Sequence, residues 1–350
     1  MNEDRSLGER NSLEAVSIEH KLGIHGCATC VMNFEGATGY LVGEVNQGLS
    51  CMFTMMNDAR LGVACESVAI AERAYQQALT YAKDRVQGEA HGQKGRTTII
   101  HHPDVRRMLL KMRSHIEIMR VFVYVTTLEI DLAVSDQEHS KRADLLTPIT
   151  KGWCSEICQE ITSIGLQIHG GMGYIEETGA AQHFRDSRIT SIYEGTTGIQ
   201  ANDLIGRKVI GDQGQELREL IADISSEINA LDSNKQRLRL IKESMTHSIA
   251  VVEKSLNYIL QEQPKDPFLA GSASYNFLMM MGTFIGGWIA TRSAALAIKN
   301  LKNSEDVEFY EAKLVSSTFF IEQSLPLVEA YSKSLMSGSV STMTLTEDQF

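Results

Sequence analysis

The stretch Gln167-Ile-His-Gly-Gly-Met-Gly-Tyr174, followed by Arg185-Asp186-Ser187-Arg188 and then Ile192-Tyr193-Glu194-Gly195-Thr196-Thr197-Gly198-Ile199-Gln200, decides how this chain is read. The glycine-rich turn follows a helical pattern, not a strand, so it is not the dinucleotide fingerprint of a parallel α/β sheet. Gly170, Gly171 and Gly173 have two readings. They end a helix, or they let the backbone approach a bound group with its N–H groups turned outward. Glu194 stands between an aromatic residue and a glycine, at the mouth of a helix that Thr196 or Thr197 is suited to cap. From the local pattern two roles are open to it: a surface carboxylate complementing the helix dipole, or a desolvated carboxylate working as a general base.

Working outward, the sequence divides at about Gly48. Residues 14–45 are rich in Val, Ile, Thr and Cys and broken by glycines, which suits short strands and tight turns. Alone, so short a β segment is too small to be a stable sheet. Beyond Gly48 the period is helical. Residues 49–87 run without proline to Gly88, and Pro103 sits where a first-turn proline belongs. After it, Val105, Met108, Leu109, Met112, Ile116, Met119 and Val123 fall on one face. Further helices are predicted over 140–166 and around 178–187, and another from Thr196. After Gln213, Leu217 to Ile228 and Leu238 to Ile259 mark two amphipathic helices. A third carries Gly282, Gly286, Ala290 and Ala294 at four-residue spacing, which permits close helix approach. One last helix is expected over 305–336, then a frayed tail. The predicted domains are 1–48, 49–212, 213–336 and 337–350.

Bulk composition excludes several classes. With 43% hydrophobic and 22% charged residues, the chain is globular and not disordered. A net charge of −11 gives no footprint for nucleic acid. The most apolar run, Phe277 to Ala290, falls short of the roughly 20 residues that a membrane span needs. Residues 1–20 have the form of neither a secretion signal nor an organelle address, so a cytoplasmic location without membrane attachment is expected. Cys27-Ala-Thr-Cys30 is formally C-x-x-C, but no βαβ pattern surrounds it, and Cys154 and Cys158 lie on an apparent helix. The cysteines are read as packing residues, and no metal site is expected.

Taken in order and at this spacing, Q-x-x-G-G-x-G-Y, R-D and I-Y-E-G-T-x-x-I-Q resemble the acyl-CoA dehydrogenase family, strongly over residues 14–210 and more loosely beyond. The branch it looks most like includes 3-methylmercaptopropionyl-CoA dehydrogenase. The resemblance implies a mainly α fold: a C-terminal helical bundle of that family with a short N-terminal β remnant and an appended helical unit. It implies Glu194 as the catalytic base and FAD as the cofactor. Gln167, Gly170 and Gly171 are expected at the FAD diphosphate of a neighbouring subunit, and Thr196 and Gly198 at the adenosine part. The family's D-x-x-R, which contacts CoA and the acyl site, reads Asn57-Asp-Ala-Arg60, with Asn in place of Asp. Its E-R-x-x-F-G, whose Arg reaches the partner's FAD, reads Asp84-Arg85-Val-Gln87-Gly88; Arg85 matches and the Phe is absent.

The activity so implied is α,β-dehydrogenation of an acyl-CoA thioester, with the α-proton to Glu194, hydride to flavin N5 and electrons onward to electron-transfer flavoprotein. A homo-oligomer is expected, with the 282–294 ridge as a further contact between subunits. The family's N-terminal domain and most of its β domain are expected ahead of residue 1. The chain is accordingly read as truncated, and a separate N-terminal chain is a candidate partner. Alternatives are an acyl-CoA oxidase and an inactive helical module that only binds CoA or oligomerises.

Overall fold

The computed structural model describes residues 4–232, 236–301 and 305–350. Backbone contacts divide the chain into two units, Met1–Asp58 and Ala59–Phe350.

In the first unit, strands β1 (Leu13–Ile18) and β2 (Cys30–Phe34) pair antiparallel, from Leu13 opposite Phe34 to Ile18 opposite Cys30, with a bulge between Ala15 and Ser17. Asn11 closes the ribbon. Its side-chain amide donates to the Thr38 carbonyl and its side-chain oxygen accepts from the Thr38 N–H, each at 2.8 Å. Val16, Ile18 and Phe34 are all exposed. Two strands with no buried face are marginal by themselves.

The second unit is helical. Helix α1 (Gly48–Asp84) enters it and leads to α2 (Pro103–Ala133), α3 (Gln137–His169) and α4 (Ala180–Arg188). Next come α5 (Thr197–Asn202), which runs on as a π-helical segment over Asp203–Ile210, and α6 (Gln215–Asn229). The remainder is α7 (Gln236–Glu262), α8 (Leu269–Asn300), α9 (Val307–Gln323), α10 (Leu327–Leu335) and α11 (Val340–Met343). Pro103 occupies the first turn of α2, and Asp136 caps α3 by accepting from the Glu138 N–H.

Helix α8 is the axis of the unit. Every residue from Phe277 to Thr291 is buried, against α2, α3, α5, α7, α9 and α10. Among the described residues no helix is long and apolar enough to cross a membrane. The small-residue ridge, expected to serve contacts between subunits as well, is used within the chain. A Cβ on Gly282 would lie 2.2 Å from Trp153 Cγ, and one on Gly286 2.8 Å from Phe320 Cζ.

One segment differs from expectation. The single helix read over 305–336 is broken into α9 and α10, because Pro326 has no N–H and its ring crowds the carbonyl four residues back. The Leu325 N–H reaches instead to the Phe320 carbonyl at 3.0 Å, and the Leu325 side chain is buried. The tail expected to fray carries the short α11 and a 3-10 turn at Glu347–Gln349, with no buried residue in either.

Candidate active site

Glu194 lies in the turn between a 3-10 turn (Ile189–Ser191) and α5. It has φ 53° and Gly195 follows with φ 89°, so two successive residues are left-handed. Glycine takes that conformation freely; a glutamate is strained there and stays only if its surroundings dictate it. Lys151 on α3 donates to the Gly195 carbonyl at 2.7 Å. Gln200 Nε2 donates to the Glu194 and Gly195 carbonyls at 3.2 and 3.3 Å. The Tyr193 hydroxyl donates to Glu66 on α1. Thr196 caps α5 by accepting from the Ile199 N–H, and Thr197 donates to Glu156 at 2.6 Å. Glu194 itself is half-buried, and its N–H has no acceptor among the described residues.

Lys151 links this turn to a charged cluster. Arg60 on α1 is buried and pairs with Asp203 at 3.0 Å, where α5 passes into the π segment; Asp203 also meets Arg207 at 2.9 Å. Lys151 is fully buried. Burial pushes its pKa down to about 8, helped by the Arg60 charge and opposed by the Glu156 and Glu194 carboxylates. Arg60 and Glu194 both act electrostatically on Lys151 and so lie in one cluster. Asn57 is exposed on α1 and falls in the first unit.

Arg85, Gln167, Gly170 and Gly171 gather elsewhere. Tyr81 stacks on His169 with ring centroids 4.5 Å apart, and the Arg85 N–H bonds to the Tyr81 carbonyl. Gln77 on α1 donates to the Thr178 carbonyl at 2.5 Å and meets His183 of α4 at 2.9 Å. These contacts set the end of α1 beside the glycine-rich turn, next to a cavity of about 870 Å³ lined by Tyr81, His169 and His183. Gly170 ends α3 with φ 60°. A Cβ at Gly170 or Gly171 would meet nothing within 4 Å, so this backbone is open to a ligand. Arg85 is exposed, with no ion-pair partner among the described residues. The two groups of residues are far apart. At 1.5 Å per residue, Lys151 to Gln167 is about 24 Å along α3, and Arg60 to Arg85 about 37 Å along α1. Thr196 and Gly198 stay with Glu194.

Lys151, Asp203 and Glu66 were not singled out from sequence. Lys151 did carry a signal: it is a lone cation on the stripe Thr147, Pro148, Cys154, Ser155, Cys158, all of them buried. The thiols of that stripe are inert packing groups, burial raising Cys154 well above the ordinary range and Cys158 up to about 12. Among the described residues no group of three or more His, Cys, Asp or Glu is arranged to hold a metal.

This bundle, with a strained Glu turn and a buried Arg at one end and an open glycine turn at the other, has known counterparts. The chain belongs to the acyl-CoA dehydrogenase family. Residues 46–210 match the family described as acyl-CoA dehydrogenase, C-terminal domain, and 215–346 the one described as acetyl-CoA dehydrogenase C-terminal like. It is 44% identical over 333 residues to 3-methylmercaptopropionyl-CoA dehydrogenase of Ruegeria pomeroyi, over 92% of this chain and 56% of that protein. It is 34% identical over 346 residues to the broad-specificity linear acyl-CoA dehydrogenase FadE5 of Mycobacterium tuberculosis, with the same coverage of both chains. The chain thus spans little more than half the length of these relatives. A solved acyl-CoA dehydrogenase from Bacillus anthracis, complexed with FAD, shares the fold with a TM-score of 0.72 at 21% identity, over 93% of this chain and 56% of that one.

Proposed function

We propose that this chain is the helical part of a flavin-dependent acyl-CoA dehydrogenase in which Glu194 takes the α-proton of the thioester. The observation that carries this reading is the Glu194 turn: a glutamate in a left-handed conformation, held from three helices and linked through Lys151 to the buried Arg60–Asp203 pair. A group fixed so close to its place of action loses little freedom on the way to the transition state.

The residues fit FAD. The open backbone at Gly170 and Gly171, with Gln167 and the exposed Arg85, suits a diphosphate, and Thr196 and Gly198 would meet the adenosine part. When bound, FAD supplies the acceptor for the β-hydride. Glu194 accepts the α-proton, and its N–H, lacking an acceptor among the described residues, is offered to the thioester oxygen, where negative charge develops. Arg60, its charge balanced by Asp203, is assigned to the acyl site, and Asn57 to the CoA portion. By the resemblance to the family, the Glu194 and Gln167 groups are assigned to FAD copies of different subunits in a homo-oligomer, an assignment with which their separation is compatible. Electron-transfer flavoprotein is the proposed electron acceptor. Likeness to 3-methylmercaptopropionyl-CoA dehydrogenase supports a fatty acyl-CoA or 3-methylthiopropanoyl-CoA substrate.

The test is Glu194→Gln in the enzyme assembled from this chain and the remaining part. An amide keeps shape and hydrogen bonding but accepts no proton. FAD and acyl-CoA binding should persist while turnover falls by about 10⁴-fold, the upper end for general-base catalysis. Flavin reduction at the wild-type rate in Glu194→Gln would place the base elsewhere.

A further inference from the structure

We infer that Lys151 is the positioning residue that clamps the Glu194–Gly195 turn to the bundle, an assignment that rests on Glu194 being the base. The turn is strained at Glu194 and needs an external hold. Gln200 lies six residues on, in the helix the turn leads into, and moves with it; its bonds are also the longer ones. Lys151 comes from α3, and its 2.7 Å bond to the Gly195 carbonyl ties the turn to a helix that does not depend on it.

The chemistry of Lys151 points the same way. A fully buried ammonium is costly and is ordinarily paired with a carboxylate. Among the described residues Lys151 makes no ion pair; its one hydrogen-bond partner is that carbonyl. Its neighbours on the buried stripe are small or apolar, so an uncharged side chain would suit the core better. What the cation adds is a charge-assisted bond to the base-bearing turn, with the Glu194 and Glu156 carboxylates attracting it and Arg60 opposing.

The experiment compares Lys151→Met, which keeps length and removes the donor, with Lys151→Arg, which keeps a cationic donor. In the full chain, hydrogen exchange of the Tyr193, Ile199 and Gln200 amides, which bond to the Ile189 carbonyl, the Thr196 hydroxyl and the Thr196 carbonyl, should quicken about 10- to 100-fold in Lys151→Met while α2 and α8 stay protected, and return toward wild type in Lys151→Arg. In the assembled enzyme Lys151→Met should lower kcat by about 10²-fold, as a displaced catalytic group does, with KM little changed. Unchanged exchange at Tyr193, Ile199 and Gln200, with Glu194→Gln inactive, overturns the clamp and leaves the base in place. A fully active Glu194→Gln overturns the base and the clamp's purpose with it. If neither Lys151→Met nor Lys151→Arg folds, Lys151 serves the core and the positioning role is overturned.

Discussion

Arg60 and Asp203 stand 143 residues apart in sequence, yet their side chains meet at 3.0 Å with both buried. Removing Asp203 takes the carboxylate away from a buried guanidinium, and removing Arg60 leaves Asp203 paired with the exposed Arg207. Arg60→Met or Asp203→Leu alone is therefore expected to cost up to about 3–5 kcal/mol, while the double replacement Arg60→Met with Asp203→Leu should cost much less than the sum. Urea unfolding of the four proteins gives the coupling; additive losses would mean that the pair does not act as a unit.

His115 predicts an acid-labile fold. It is buried against Trp153 and Phe320, donates from Nδ1 to the Lys111 carbonyl at 2.8 Å, and burial lowers its pKa to about 3. Between that value and the unfolded value near 6.5 the unfolded chain binds the extra proton, so stability falls as pH drops through this window. The loss amounts to at most about 4–5 kcal/mol. His115→Phe should flatten this acid branch in thermal melts from pH 7 to 4. An unchanged slope would assign the acid sensitivity to carboxylates.

Two glycines of α8 should respond in opposite senses. A Cβ at Gly282 meets Trp153 at 2.2 Å, whereas at Gly271 it meets nothing within 4 Å. Gly282→Ala is expected to destabilise by about 1–3 kcal/mol through overpacking. Gly271→Ala should stabilise by up to about 1 kcal/mol, from helix propensity alone. Melting temperatures moving in the same direction would contradict the placement of α8 against α3.

Arg85 should affect flavin retention and leave the chemical step alone, because it lies about 37 Å along α1 from Arg60. In the assembled enzyme Arg85→Ala should weaken FAD binding about 10- to 100-fold, the loss of one charged contact. The first turnover per bound flavin should remain at the wild-type rate. Flavin titration and single-turnover mixing separate the two, and a slowed first turnover with normal retention would refute the assignment.

Much of the architecture was legible because it is local. Helices α1, α2, α6, α7 and α8 follow from where apolar residues recur and from Pro103 and the glycines, since a 3.6-residue period is a property of neighbours. The motif order around Glu194 was enough to indicate the family. Local reading failed where a proline broke a regular period, between α9 and α10, and where the π segment at Asp203–Ile210 shifted the phase of the helix.

Sequence by itself determined the helices, the placing of Glu194 in a turn before α5, and the close approach allowed by Gly282. Only the tertiary structure decided that Lys151 reaches the Gly195 carbonyl from 44 positions away, that Asp203 neutralises Arg60, and that Arg85 and Gln167 share an end of the bundle remote from Glu194. The reason is physical. Propensity and periodicity act over a few residues, whereas a bond between distant residues forms only when burial of apolar faces has fixed which helices lie side by side.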